Sequence, residues 1–265
     1  MTESSTVLIA CRGHFRFDIT GMRQEAFFIT GTDTGVGKTV LTALLARYLG
    51  ENDIKVAALK PVCSGGRDDA RVLHGVLNGA ATLDQINPWH FRAPLAPLLA
   101  ARLEHRRVRL AEVLAHVCAM QKRFDILLIE GAGGLLSPLG EDFNSRDLIA
   151  ALRATPIVVC PNRLGAVNQA LLTLEALPSR ARVRARVVLM SPPGPDASTQ
   201  SNFHLLAARL EGKRILRLPW LGARFNRTRG WENARVRQAV RALASSLQIF
   251  PQKVIAFHGR AGSNL

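Results

Sequence analysis

Short apolar runs recur along the chain, with longer amphipathic stretches between them. Residues 27–30, 54–59, 124–129, 156–160, 186–190 and 215–218 each have strand length and few polar positions. That is the pattern of strands buried on both faces of a sheet. Residues 40–49, 69–78, 110–120, 165–177 and 231–247 instead carry apolar positions at helical spacing, and a further helix is expected before residue 215. Strands that alternate with helices predict an α/β fold, a mostly parallel sheet covered by helices on both faces. Residues 84–98 hold prolines at 88, 94 and 97 and read as an irregular covering loop. Residues 1–21 show neither periodicity nor caps and are taken as an ill-defined extension, 22–247 as a single domain, and 248–265 as a loose tail.

The first strand leads into Thr30-Gly31-Thr32-Asp33-Thr34-Gly35-Val36-Gly37-Lys38-Thr39, and a helical pattern begins at Val40. Strand, glycine-spaced loop, Gly-Lys-Thr and helix, in that order, are the context of a phosphate-binding loop. Backbone N–H groups of such a loop converge on a polyphosphate, and the helix N-terminus adds partial positive charge. Lys38 is then expected along the outer phosphates, and the Thr39 hydroxyl on a bound Mg²⁺. The spacing is unusual: five residues separate Gly31 from Gly37, where the common form has four.

Two further charges fall at strand ends. Lys60 follows the run at 54–59, and Pro61 stops the strand, so Lys60 is expected to project from the carboxyl end with little packing. In an open parallel sheet the loops at that end form the ligand crevice. Glu130 closes the run at 124–129 and precedes Gly131-Ala132-Gly133-Gly134. A carboxylate so placed serves a phosphate-bound metal or its waters.

The composition narrows the partners. A formal charge of +15 comes from arginines spread along the chain, yet there is one tyrosine and no dense basic stripe. A solvated basic surface is preferred over a nucleic-acid interface. No apolar run reaches the ~18–20 residues that span a bilayer. Cys11, Cys63, Cys118 and Cys160 are scattered without metal-ligand spacing. Free thiols in a reducing, cytoplasmic compartment are the expectation.

The phosphate loop, with Lys60-Pro61-Val62, Ser64-Gly65, Glu130-Gly131-Ala132-Gly133-Gly134, Leu164-Gly165-Ala166-Val167-Asn168 and Pro219-Trp220-Leu221, closely resembles the dethiobiotin synthetase family over about residues 26–222. The resemblance implies a single-domain fold of the P-loop NTPase kind. It also implies a homodimer that closes a cyclic urea on 7,8-diaminopelargonate with ATP, Mg²⁺ and CO₂ or bicarbonate. By the same resemblance, Gly35, Val36, Gly37, Lys38, Thr39 and Val40 bind nucleotide phosphates. Glu130, Gly131, Ala132, Gly133, Pro219, Trp220 and Leu221 complete the nucleotide site. Thr39, Asp69 and Glu130 correspond to the metal set, with Asp68 the alternative to Asp69. Lys60 and Lys38 correspond to the catalytic pair, and Thr34, Ser64, Gly165 and Asn168 to the substrate contacts, the last two across the dimer. In one place the chain departs from the family: Met190 and Ser191 stand where an asparagine reads the adenine edge. The competing class is a partitioning-type ATPase that binds DNA through its arginines, but the extra lysine of such loops is absent at Asp33.

Overall fold

The computed structural model describes residues 25–221 and 233–249. Its organising element is β1 (Glu25–Gly31), whose Phe27, Phe28 and Ile29 are almost fully enclosed. Five more strands join it: β2 (Val56–Leu59), β5 (Ile126–Glu130), β6 (Thr155–Pro161), β7 (Arg186–Met190) and β8 (Ile215–Leu218). The order is β2-β5-β1-β6-β7-β8, and every pairing is parallel. Helices cover both faces, which is why these strands are nearly continuous apolar runs. The expected α/β class therefore holds, and β7 and β8 match the sequence reading residue for residue.

Parallel pairing places all six carboxyl ends along one edge. Gly31 lies opposite Val159, Ile29 opposite Glu130, and Leu59 opposite Ile129. Sequence order reverses at β1, between β5 and β6, so the loop leaving β1 opens at the switch point where such sheets bind ligands. From there α1 (Lys38–Gly50) packs back on the sheet through Leu41, Leu44, Leu45 and Leu49. Helix α2 (Asp68–Val76) packs beside it.

The segment read as an irregular loop is structured. It holds α3 (Leu83–Ile86), closed by a Thr82–Gln85 capping box, then β4 (Trp89–Phe91), which pairs in parallel with β3 (Val62–Ser64). Pro97 opens α4 (Pro97–Leu103) at its first turn, where its missing N–H costs nothing. Helix α5 (Leu110–Gln121) follows as expected. Helix α6 (Ser145–Leu152) went unread, although Asn144 and Asp147 form a reciprocal cap that the sequence signals.

The remaining helices are α7 (Ala166–Ala176), α8 (Ser179–Arg182), α9 (Ala197–Arg209) and α10 (Ala234–Ser246). The last begins at the Asn233 cap; residues 231 and 232, where its start was expected, lie outside the described residues. The extension at 1–21 and all of the tail from residue 250 also lie outside them, while Ile249 is buried in the core. Cys63 and Cys160 are free and buried, as expected, and Cys11 lies outside the described residues. No helix among the described residues is long and apolar enough to cross a membrane.

Candidate active site

The loop between β1 and α1 curls over the helix N-terminus through left-handed backbone at Gly35 and Gly37. At Gly37, φ is 98°, and an added Cβ would lie 2.8 Å from the Met190 Cε atom. Only glycine meets both demands. The Lys38 side chain reaches back over the loop, and its Nζ donates to the Asp33 carbonyl oxygen at 2.8 Å.

Beside this loop the carboxyl ends of β2 and β5 and the first turn of α2 bring three charges together. The Lys60 Nζ donates to Asp69 Oδ2 and to Glu130 Oε1, each at 2.6 Å. The Thr39 Oγ1 donates to the same Glu130 oxygen at 2.7 Å. The other, Oε2, is buried and has no hydrogen-bond partner. Lys60 is only 4% exposed, so the expected loosely packed lysine is instead enclosed. Its backbone is also held: the Lys60 N–H donates to the Ile86 carbonyl, and Asn87 Nδ2 donates to the Lys60 carbonyl at 2.7 Å. Arg67 in turn donates to the Asn87 side chain and carbonyl.

The charge states follow from these contacts. Burial opposes the Lys60 ammonium, but Glu130 and Asp69 outweigh it and hold its pKa above the ordinary lysine value. Burial also works against the Asp69 carboxylate, yet the Lys60 charge and hydrogen bond hold its pKa below the usual range. Lys38 goes the other way. Burial, with the Lys60 charge next in weight, lowers it to about 8. Two ammonium groups thus share a low-dielectric crevice, an arrangement that favours an entering polyanion.

Thr34, Gly35, Gly37, Lys38, Thr39 and Val40 line a cavity of about 660 Å³. Lys60, Ser64, Asp69, Glu130, Ala132 and Gly133 line it too, and residues 94–97 close one side. Asp69 rather than Asp68 enters it; Asp68 pairs with Arg71 at 2.7 Å with its side chain 91% exposed. Val36 and Gly131 are buried beneath the loops. Pro219, Trp220 and Leu221 line a second cavity of about 550 Å³ that shares Thr34, Gly35, Gly37 and Val40 with the first. Gly165 and Asn168 enter neither cavity; both are exposed at the start of α7. Sequence reasoning missed Asn87, Ser137 and the 94–97 wall. Asn87-Pro88 is a turn signal that marks the bend but not its contact with Lys60.

Thr39, Asp69 and Glu130 offer hard oxygen donors of the kind Mg²⁺ takes. The buried, unpartnered Glu130 Oε2 fits a cation or one of its waters. Among the described residues no three His, Cys, Asp or Glu side chains converge. That suits a metal that shares one or two carboxylates with substrate phosphates.

A family model described as an AAA domain matches residues 25–226. The ATP-dependent dethiobiotin synthetase BioD of Anaeromyxobacter sp. (strain Fw109-5) is 43% identical over 170 residues, 63% of this chain and 76% of that protein. The protein of the same name from Methanocaldococcus jannaschii is 39% identical over 168 residues, 62% of this chain and 78% of its own length. Its namesake in Bacillus subtilis (strain 168) is 35% identical over 199 residues, covering 73% and 86%.

Proposed function

The chain belongs to the AAA-domain family and, within it, to the ATP-dependent dethiobiotin synthetases, and from that premise we propose that it closes a cyclic urea on 7,8-diaminopelargonate. One substrate amine takes up CO₂ as a carbamate. A carbamate oxygen attacks the γ-phosphorus of ATP, and ADP leaves. The second amine then attacks the carbamoyl carbon of the mixed anhydride, expels inorganic phosphate and closes the ring. The DNA-linked alternative draws no support from these relatives.

The observation that carries this reading is Lys60, enclosed between Asp69 and Glu130 at 2.6 Å and lining one cavity with Lys38 and the phosphate loop. Phosphoryl transfer asks the protein mainly for positioning and charge neutralisation. Lys38 and the loop N–H groups would hold the phosphates, while Lys60 neutralises charge shared by the carbamate and the γ-phosphoryl group. Thr39, Asp69 and Glu130 would hold Mg²⁺, which would supply further neutralisation of the phosphates. Thr34 and Ser64 are assigned to the substrate side of the cavity. Gly165 and Asn168 are assigned to a partner subunit's substrate in a homodimer, which accounts for their exposure here. We place the protein in the cytoplasm, where ATP is supplied.

The test is ADP release with ATP and Mg²⁺, with and without diamine and bicarbonate. Release that requires both substrates is the expected result. Substrate-independent hydrolysis stimulated by DNA would overturn the reading in favour of the partitioning-type ATPase.

A further inference from the structure

Lys60 stands just beyond the sheet. The last rung between β2 and β5 pairs Leu59 with Ile129, and the backbone of Lys60 bonds residues 86 and 87 instead. Its N–H donates to the Ile86 carbonyl at 2.9 Å, and its carbonyl accepts from Asn87 Nδ2 at 2.7 Å. The local sequence brings this about. A Thr82–Gln85 box caps α3, Pro88 forbids its continuation, and Asn87 between them leaves the helix at φ −140°. Glu130 needs no such help, since it closes β5 within the sheet, opposite Ile29.

The buried Asn87 carboxamide has one orientation that satisfies its neighbours. Arg67 can only donate, and its Nε reaches Asn87 Oδ1 at 3.2 Å, where the Cys63 Sγ also lies at 3.2 Å. The oxygen therefore faces Arg67, and the amino group faces Lys60. Arg67 is itself anchored: its Nη2 donates to the Leu83 and Asn87 carbonyls and to Asp84 Oδ1. It is also the residue from which α2 starts, two positions before Asp69. One guanidinium thus orients the amide beneath Lys60 and ties down the helix turn that carries Asp69. Those two tethers meet where the Lys60 Nζ bonds Asp69 at 2.6 Å. Asn87 and Arg67 both lie behind the cavity lining, so they act on its contents only through other residues.

We propose that Asn87, oriented by Arg67, is the positioning residue for Lys60. It sets where the ammonium stands between Asp69 and Glu130, and so where the transferring phosphoryl group meets its cation. The proposal rests on the synthetase reading for the reaction that Lys60 serves. Asn87→Asp is the sharpest probe: it keeps the size and the Arg67 bond but turns a lone pair on the Lys60 carbonyl. Arg67→Lys keeps the charge and loses the fork that orients the amide.

The experiment reads Lys60 twice, once without turnover. Acetic anhydride labelling with peptide mass spectrometry compares Lys60 with the exposed Lys55 in the same sample. Either variant should raise the relative labelling of Lys60 by about tenfold, the scale of one lost hydrogen bond. ADP release with ATP, diamine and bicarbonate gives the second reading. Here kcat should fall by about tenfold to a hundredfold, with the KM for ATP unchanged within about twofold. The deciding comparison repeats each variant in Lys60→Ala, which keeps the backbone carbonyl but lacks the ammonium. There the effect on kcat should shrink below about twofold, while the shift in urea midpoint persists. An equal loss of kcat in both backgrounds overturns the proposal, because the effect would then run through the fold or the 94–97 wall. Lys60 labelling that stays at its natural level overturns it too. If Asn87→Asp does not fold, Arg67→Lys carries both readings. A natural chain that releases no ADP on adding diamine and bicarbonate retires the synthetase reading, and the labelling then decides this one alone.

Discussion

Lys60 separates two roles that a strand-end lysine is usually denied. Its ammonium is enclosed and bonded to both Asp69 and Glu130. Lys60→Ala would leave the Glu130 carboxylate buried with only the Thr39 hydroxyl for a partner. Breaking a buried pair by removing one member costs about 3–5 kcal/mol; the half-exposed Asp69 side chain brings the expectation to the lower end. Turnover should fall about a hundredfold or more, the scale of one lost transition-state contact. Mg²⁺ should restore more stability to the variant than it adds to the natural chain, because the two carboxylates then lack their cation. Urea unfolding of both proteins, with and without Mg²⁺, checks this. Equal midpoints in all four conditions would mean that the ion pairs hold nothing together. The sequence placed Lys60 at the strand-end crevice of the phosphate loop, and the structure puts both on one cavity. The sequence did not tell that Lys60 is enclosed, since its partners lie 9 and 70 residues away: Glu130 meets it only once β2 and β5 pair, and Asp69 only from the first turn of α2.

At the scale of elements, the segment from α3 to α4 is the part the hydrophobic pattern hid. β3 and β4 have three residues each, too few to show alternation, and the prolines around β4 read as breaks. The long strands were legible because burial on both faces leaves unbroken apolar runs between glycine and proline. The segment nonetheless sets the site, through Asn87 beneath Lys60 and residues 94–97 across the cavity. It is pinned to α5 by His116, whose Nε2 bonds the Gln85 carbonyl at 2.8 Å and whose ring meets Trp89 edge-on at 5.8 Å. A carbonyl only accepts, so Nε2 carries the proton and the neutral ring suffices. Burial lowers the His116 pKa below 6.5, and burial with Arg67 lowers that of His90. A base with a depressed folded pKa binds fewer protons folded than unfolded as pH falls through the unfolded value. Stability from these histidines is therefore fully present above about pH 6.5 and declines below it. The urea midpoint should fall between pH 7.5 and 5.5. His116→Phe, which keeps a ring against Trp89, should flatten that slope, and an unchanged slope would assign the effect to other groups.

For the whole molecule, one topological fact places most of the chemistry: six parallel strands present their carboxyl ends together, and the chain order reverses at β1. The alternation of elements made the parallel sheet legible in advance, but not the strand order that puts the reversal at β1. What one chain does not gather is the Gly165 and Asn168 pair. On α7, Asn168 and Leu172 are four residues apart and both exposed, so they share a helix face. Leu172 is 62% exposed, and it lines a crevice of about 470 Å³ with Leu136, itself 56% exposed. Leu164, just before the turn, is 84% exposed. Large apolar side chains grouped around a proposed substrate contact mark a surface that association would cover. If a second copy covers it, Leu172→Arg should place a charge in an apolar contact and yield monomers in sedimentation. Each site would then lose the partner's Gly165 turn and Asn168. Binding of the diamine should suffer more than binding of the triphosphate, whose cavities lie within one chain. The expected signature is a KM for diamine raised about tenfold or more, with the nucleotide dissociation constant little changed. A variant that stays dimeric, or a monomer with the natural KM, would show that α7 carries neither the interface nor the substrate contact.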